Sequence, residues 1–154
     1  DIYTLSTEKL AIFRRRQIGL IYQFFNLIPT LNVEENITLP CELDGQTVDK
    51  KRLDKLIDEL GLNGRKTHLP EELSGGQQQR VSIGRALINR PAIVLADEPT
   101  GNLDKKNSDE IVELLRRANQ EYRQTIIMIT HNLEIAKTAD RVIVIEDGKI
   151  IREG

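Results

Sequence analysis

The sequence predicts an α/β fold built on a mainly parallel sheet, and three features support this prediction. Segments with helical spacing of apolar residues alternate along the chain with short apolar runs that are typical of strands. Two of these runs, residues 93–96 and 125–129, are almost entirely apolar, as in parallel strands that are buried on both faces. Polar residues follow both runs directly, at the edge where sheets of this class bind ligands.

The chain begins with a predicted helix and a predicted strand. Ser6 or Thr7 is placed to cap a short helix that runs to Arg16. The mostly apolar run 18–22 then favours a strand, and Gln23 follows it directly.

Two further helices are predicted before the middle of the chain. Asn32 and Glu35 are spaced as in a capping box, which predicts a short helix towards Leu39. We expect residues 40–46 to form a loop. The next helix is indicated by apolar residues at helical spacing, and Gly61 is its expected C-terminal stop. These apolar residues are Leu53, Leu56, Ile57 and Leu60.

The middle of the chain predicts a helix, a strand and another helix. Ser74 precedes a helix that should run to about Asn89, because Pro91 forbids much extension. The strand at 93–96 follows, and Asp104 can cap the next helix. The apolar positions of that helix are Ile111, Leu114, Leu115 and Ala118.

The last segment predicts a strand, a short helix and a hairpin. The strand covers residues 125–129 and the helix covers 133–138. Residues 141–145 and 149–151 should pair through a tight turn at Asp147-Gly148.

Composition excludes several classes of function. The formal net charge is −2 and aromatic residues make up 4% of the chain, so we expect no nucleic-acid partner. The single cysteine, Cys41, cannot form an internal disulfide, which fits a reducing compartment. The sequence contains no apolar run of membrane-spanning length and no signal peptide, so any membrane role is expected to require a partner.

Two carboxylates stand at the end of the strand 93–96. Asp97 is placed to hold Mg²⁺, directly or through water, and Glu98 is placed to orient or deprotonate an attacking water. The alternative is that two acids merely end a strand and begin a turn at Pro99, and the short pattern alone does not decide between them.

A Ser-Gly-Gly segment opens the helix that begins near residue 74. Glycines let the backbone approach a ligand closely, and the free amides of a helix N-terminus suit a terminal phosphate. The alternative is an ordinary capped helix after a loop. The longer string LSGGQQQR, residues 73–80, is much more specific than Ser-Gly-Gly alone.

Two single residues complete the candidates. His131 lies just beyond the strand 125–129 and could donate a hydrogen bond to a γ-phosphate, although an isolated histidine there is more often a helix-start or surface residue. The amide of Gln23 could contact Mg²⁺ or water, but a lone glutamine is uninformative.

The order of these motifs resembles the ABC ATPase family. The strings LSGGQQQRVSIGRAL, residues 73–87, and ADEPTGNLD, residues 96–104, lie close together, with Gln23 before them and His131 after them. The match covers essentially the whole chain and begins after the first third of the family's domain. It implies the fold of a P-loop NTPase with a mainly parallel sheet and a helical signature subdomain, truncated at the N-terminus.

The resemblance implies roles in the hydrolysis of ATP. Asp97 resembles the Walker B residue that holds Mg²⁺, Glu98 the catalytic base, and His131 the switch histidine. ATP and Mg²⁺ are the implied cofactors.

The resemblance also implies contacts with a second ATP-binding domain and with a permease. Gln23 resembles the Q-loop glutamine, which senses nucleotide and metal and faces the transmembrane partner. Asp104 resembles the D-loop aspartate at the dimer interface. The signature motif contacts the ATP held by the opposite subunit, a second copy or a paralogue, and its residues are Ser74, Gly75, Gly76 and Gln77.

One family motif does not occur in this sequence. A Walker A loop needs the string G-x-x-x-x-G-K-[ST], whose amides and lysine hold the phosphates, and no such string is present. We therefore expect 1–154 to be a partial nucleotide-binding domain, either a fragment or a degenerate subunit, that is inactive alone. Residues of about 24–90 would form the helical subdomain, and 1–23 and 91–154 would form parts of the ATPase core.

Within the family, the segment 24–29, FFNLIP, and the string 96–104 resemble a bacterial branch of macrolide exporters, lipoprotein-release ATPases, bacitracin-resistance transporters and the cell-division ATPase FtsE. This implies an ATP-hydrolysing subunit at the cytoplasmic face of the membrane, bound to a permease that exports or releases a hydrophobic or peptide-like substrate. The alternative is an FtsE-like signalling ATPase that switches a membrane partner without transport. The apolar residues that could contact the permease, or pack inside the subdomain, are Phe24, Phe25, Leu27 and Ile28.

Overall fold

A three-stranded parallel sheet lies at the centre of the structure, a computed structural model that describes residues 1–154. Strands β1 (Ile18–Ile21), β2 (Ile93–Asp97) and β3 (Thr125–Ile129) are hydrogen-bonded in that order, with β2 in the middle. The predicted α/β class with a parallel sheet is confirmed. All three strands end at the same edge of the sheet, which therefore brings the residues that follow β1, β2 and β3 close together.

The predicted first helix forms and leads straight into the sheet. A short 3₁₀ turn at Ile2–Thr4 precedes helix α1 (Thr7–Gln17). Of the two cap candidates, Ser6 is the cap, since its hydroxyl oxygen accepts the Lys9 N–H at 3.4 Å. β1 begins at the next residue, so no loop separates this helix from the sheet.

Helix α2 (Val33–Leu43) begins as predicted and runs further than predicted. The capping box is present, because Asn32 and Glu35 each accept the other's backbone N–H. The expected loop at 40–46 is wrong for its first half, since the helix continues through Pro40. Proline removes one backbone hydrogen bond, but the next residue, Cys41, is buried in the core and its thiol donates to Asn89 Oδ1 at 2.9 Å.

Two more helices complete the part of the chain before β2. Asp49 caps α3 (Lys50–Glu59), and Gly61 ends it with a φ of 68°, as its sequence predicts. The predicted apolar face of α3 is buried, and short 3₁₀ turns at Asn63–Arg65 and Pro70–Glu72 lead to α4. Helix α4 (Gly75–Leu87) starts behind Ser74 and ends two residues earlier than predicted.

The elements that follow β2 also agree with the sequence. Asp104 caps α5 (Lys105–Tyr122), and the four predicted apolar positions of that helix are buried. The short helix α6 (Leu133–Ala136) is two residues shorter than predicted. Strands β4 (Ile143–Glu146) and β5 (Lys149–Glu153) form the predicted antiparallel hairpin.

The core lies on one face of the sheet only. Helices α2 and α4 pack together and α4 packs on β1, so that Ile21, Val94 and Ala96 are at most 2% exposed. The alternate residues of the same strands point to the opposite face and are 37–62% exposed: Leu20, Leu95, Ile127 and Ile129. None of the helices is long and apolar enough to cross a membrane.

Candidate functional site

The turn that follows β2 holds Glu98 in a rare backbone conformation. Glu98 has a φ of 43°, in the left-handed region that non-glycine residues seldom adopt. Its N–H donates to Ile129 O at 3.0 Å, and its carbonyl accepts the Gly101 N–H at 3.0 Å. Strain of this kind persists only where the surroundings fix it, and it is found most often at functional sites.

Glu98 and His131 form a pair at the carboxyl edge of the sheet. The His131 Nδ1 lies 2.7 Å from Glu98 Oε1, and the His131 backbone N–H donates to the same oxygen at 3.0 Å. The carboxylate side chain is 19% exposed and the imidazole 83%. Because both contacts use Oε1, the second carboxylate oxygen is left to accept a proton from a water molecule.

Asp97 ends β2 and is exposed beside this pair. Its carboxylate has no hydrogen bond or ion pair with any protein group, and nowhere in the chain do three or more acidic, histidine or cysteine side chains cluster around a metal position. Mg²⁺ is usually held by one or two carboxylates together with phosphate oxygens and waters. This donor set fits a Mg²⁺ ion that arrives with a nucleotide, rather than a closed metal cage.

Gln23, just beyond β1, contacts the loop after β2. The carbonyl of Gln23, two residues past β1, accepts the Asn102 side-chain N–H at 2.9 Å. The Gln23 side chain lies against Gly101, where an added Cβ would stand 2.9 Å from Nε2. The structure therefore brings Gln23 to the segment that carries Glu98, and Gly101 leaves the space that this contact needs.

Ser74 caps α4 through a reciprocal pair of hydrogen bonds. Its hydroxyl oxygen accepts the Gln77 N–H at 3.3 Å, and Gln77 Oε1 accepts the Ser74 N–H at 2.9 Å. Ser74 and Gly75 are exposed, and the first amides of a helix have no intrahelical acceptor. The Ser74 hydroxyl and these amides can donate to an anion. No hydrogen bond joins them to Asp97, Glu98 or His131, so the chain presents two separate groups of candidate residues.

Asp104 contacts the helix α4 segment through Asn107. The two oxygens of Asp104 accept the backbone N–H of Asn107 at 2.9 Å and its side-chain N–H at 2.7 Å. These hydrogen bonds, the backbone one foremost, lower the pKa of Asp104. A Cβ at Gly76 would overlap Asn107 Oδ1, so any larger residue there would displace the Asn107 amide.

Polar side chains hold the loop between β1 and α2 by its backbone. Arg85 donates to Asn26 O at 2.6 Å and to Phe25 O at 3.0 Å, and its burial lowers the pKa of the guanidinium. Four apolar residues of this loop were expected either to contact a permease or to pack inside the subdomain. Two of them are exposed and two are partly buried. Phe24 and Ile28 are exposed, whereas Phe25 and Leu27 are intermediate.

Sequence reasoning missed three residues that join these segments. Arg85 and Asn107 are polar residues without a distinctive local pattern, and only the folded chain shows their partners. Gln79 does carry a signal. It falls at helical spacing with Gly76, Ile83 and Ala86, and all four are buried.

Comparison with known proteins identifies relatives along the whole chain. A family model described as ABC transporter matches residues 4–101. The macrolide export ATP-binding/permease protein MacB of Brucella melitensis is 46% identical over 99% of this chain, which spans 24% of that protein. An uncharacterised ABC transporter ATP-binding protein of Methanocaldococcus jannaschii, MJ1508, is 47% identical, and the match covers 96% of this chain and 66% of the relative.

A solved structure supports the same relationship. The dimeric ATP-binding cassette MJ0796, in a post-hydrolysis state with ADP and Pi, superimposes with a TM-score of 0.85 at 39% identity. The match covers 98% of this chain and 68% of the cassette. This chain thus spans about a quarter of the macrolide-export relatives and about two thirds of the solved cassette.

Proposed function

The chain belongs to the ABC transporter ATP-binding family, and we propose that it supplies the water-activating residues of an ATP hydrolysis site. The observation that carries this proposal is the pairing of Glu98 with His131 at the carboxyl edge of the sheet, 2.7 Å apart. Glu98 would act as the general base and accept a proton from water at its free oxygen.

His131 would hold the Glu98 carboxylate and contact the terminal phosphate. Its Nδ1 faces the carboxylate, so that a second proton on Nε2 would allow it to donate to a phosphate oxygen. Asp97 would hold Mg²⁺, with Gln23 as a further ligand, and the metal when bound would neutralise charge on the phosphates.

We infer that the segment Ser74–Gln77 acts on a nucleotide held by a second ATP-binding domain, a copy of this chain or a paralogue. Ser74 and Gly75 are exposed, and no residue of the segment makes a hydrogen bond to Glu98 or His131 of the same chain. Asp104 would lie at the same interface, since Asn107 links it to Gly76. The related cassette MJ0796 is a dimer.

We propose that the protein works at the cytoplasmic face of a bacterial membrane, bound to a permease that exports or releases a hydrophobic or peptide-like substrate. The relatives named for macrolide export support this class of substrate. Phe24, which is 70% exposed, would contribute to the permease contact. No observation favours the FtsE-like signalling alternative.

We also propose how the chain divides into subdomains and how active these 154 residues are without further segments. Residues of about 24–90 would form the helical subdomain, and 1–23 with 91–154 would form parts of the ATPase core. The 154 residues contain no G-x-x-x-x-G-K-[ST] string, so a polypeptide of these residues alone should bind ATP weakly and turn it over negligibly.

A substitution of Glu98 tests the proposal in a protein that carries these residues together with a phosphate loop, termed the complete ATPase. Glu98→Gln keeps the shape of the side chain but cannot accept the proton of water, so ATP should bind and remain unhydrolysed. Gel filtration with MgATP should then show an ATP-bound dimer that persists.

The matched control is Glu134→Gln, since Glu134 is exposed on the nearby helix α6 and pairs only with Lys137. This variant should hydrolyse its ATP and return to the distribution of the unsubstituted protein. A Glu98→Gln variant that behaves like the control would refute the assignment.

A further inference from the structure

One fully buried amide lies between the segments that carry the candidate residues. Gln79 is on α4 and its side chain is 0% exposed. Its Nε2 donates to Pro99 O at 2.7 Å and, over a longer distance of 3.5 Å, to Tyr22 O. Both neighbours are carbonyl oxygens, so the donor end of the amide must face them.

The other end of this amide has no partner. Gln79 Oε1 is buried and accepts no hydrogen bond. An unpaired acceptor in the core is unfavourable, and an apolar side chain of the same size would avoid it. An apolar side chain would, however, leave Pro99 O and Tyr22 O without this donor, so the glutamine is explained by the two contacts of its Nε2 and not by its Oε1.

The two carbonyl groups belong to the segments of the hydrolysis site. Pro99 directly follows Glu98, whose backbone is held at a φ of 43°. Tyr22 directly precedes Gln23. Because α4 also carries the Ser74–Gln77 segment at its N-terminus, one side chain joins all three segments.

We propose that Gln79 is a positioning residue that fixes the peptide after Glu98, and with it the direction of the Glu98 carboxylate, relative to helix α4. This inference rests on the proposed function. A movement of α4 would then be transmitted to Glu98 through Pro99, and loss of the bond would leave Glu98 free to leave its left-handed conformation.

The test is Gln79→Met in the complete ATPase, because methionine fills a similar volume without a donor. Small displacements of a catalytic group lower the rate of the chemical step, so kcat should fall roughly 10- to 100-fold. KM for ATP should stay within about twofold, because the Gln79 side chain donates only to the backbone carbonyls of Pro99 and Tyr22 and to no side chain proposed to hold nucleotide or Mg²⁺.

The matched control is Gln78→Met. Gln78 is the neighbouring residue on α4, is partly buried, and donates to Leu73 O at 3.2 Å without contact to Pro99. Its kcat should be close to that of the unsubstituted protein. A folded Gln79→Met variant with the same kcat as Gln78→Met would overturn the inference.

Gln79→Glu provides a second test, which also applies if the methionine variant does not fold. Burial favours the neutral carboxyl, whose O–H can donate to Pro99 O as the amide does. Activity should therefore be partly restored at low pH and should fall with rising pH more steeply than in the unsubstituted protein. Parallel pH profiles would overturn the inference.

Failure of the inference and failure of the proposed function give different results. If Glu98 is not the base, Glu98→Gln keeps its turnover whatever the Gln79 variants do. If only the inference is wrong, Glu98→Gln is inactive while Gln79→Met turns over ATP like its control.

Discussion

The two faces of the central sheet consist of alternate residues of the same strands, yet they differ completely in their surroundings. On one face Ile21, Val94 and Ala96 are buried beneath helices, with exposures of 0–2%. On the other face, neighbouring residues of equal apolar character are 37–62% exposed: Leu20, Leu95, Ile127 and Ile129. Alternation of side chains in a strand assigns each residue to its face.

Strands that are apolar on both faces are expected to be packed on both faces. In these 154 residues, helices pack on one face only. Leu20, Leu95 and Ile127 are direct neighbours across the sheet, so they form a continuous row. Burial of apolar surface is worth roughly 25 cal/mol per Å², which makes such a row a strong site of association. Helices α4 and α5, by contrast, pack against the opposite face of the sheet.

The largest expected effect compares two adjacent residues of β2. Val94→Asp would place a carboxylate in the covered core and should cost at least about 4 kcal/mol, a large part of the roughly 5–15 kcal/mol by which single domains are stable. Leu95→Asp, on the uncovered face, should cost about 1–2 kcal/mol, mainly through strand propensity. Urea unfolding of the 154-residue polypeptide measures both. Equal losses would show that the two faces are not different in solution.

A smaller effect concerns self-association through the uncovered face. The polypeptide should form dimers or larger species, and the triple variant Leu95→Ser, Ile127→Ser, Ile129→Ser should weaken this association at least about tenfold. Light scattering over a range of concentrations checks it. The matched control substitutes two exposed isoleucines of the β4–β5 hairpin, Ile145→Ser and Ile150→Ser. If the control variant weakens the association and the triple variant does not, the copies associate through the hairpin and not through the uncovered face of the sheet.

The smallest expected effect is a pH dependence on the packed side of the molecule. Asp44, just after α2, pairs with Arg16 at 2.7 Å and with Arg15 at 3.2 Å, and the hydrogen bond from Arg16 is the main cause that lowers its pKa. A carboxyl with a lowered pKa stabilises the fold above its unfolded value, about 3.9, and this contribution is lost as the pH falls through the folded value.

Asp44→Asn should therefore lower the urea midpoint at neutral pH, and the difference from the unsubstituted chain should shrink below about pH 4. Leu95→Asn changes a residue of the uncovered face that has no ion pair. The difference in urea midpoint between this variant and the unsubstituted chain should therefore not shrink below about pH 4. A constant difference for Asp44→Asn at all pH values would contradict the role of its charge.

Local signals were sufficient to predict most elements. Capping residues such as Ser74 and Asp104 and the stop at Gly61 define helix ends through short-range hydrogen bonds and φ preferences, and the structure has them where the sequence predicts. The continuation of α2 through Pro40 was not predictable in this way. It depends on the burial of Cys41, which is a property of the packed chain.

The sequence predicts candidate site residues but not the contacts that join them. The strand ends bring Glu98 and His131 together, as expected for parallel neighbours. The link from Gln79 to Pro99 joins residues that are 20 apart in sequence, and no local pattern indicates its partner.

The most direct test of the account is phosphate release from ATP by the complete ATPase, by its Glu98→Gln variant and by the 154-residue polypeptide. We expect Glu98→Gln to lower the rate by about 10²- to 10⁴-fold, as for loss of a general base. The polypeptide alone should release no more phosphate than that variant. Turnover by the polypeptide at the rate of the complete ATPase, or near-normal turnover by Glu98→Gln, would contradict the account.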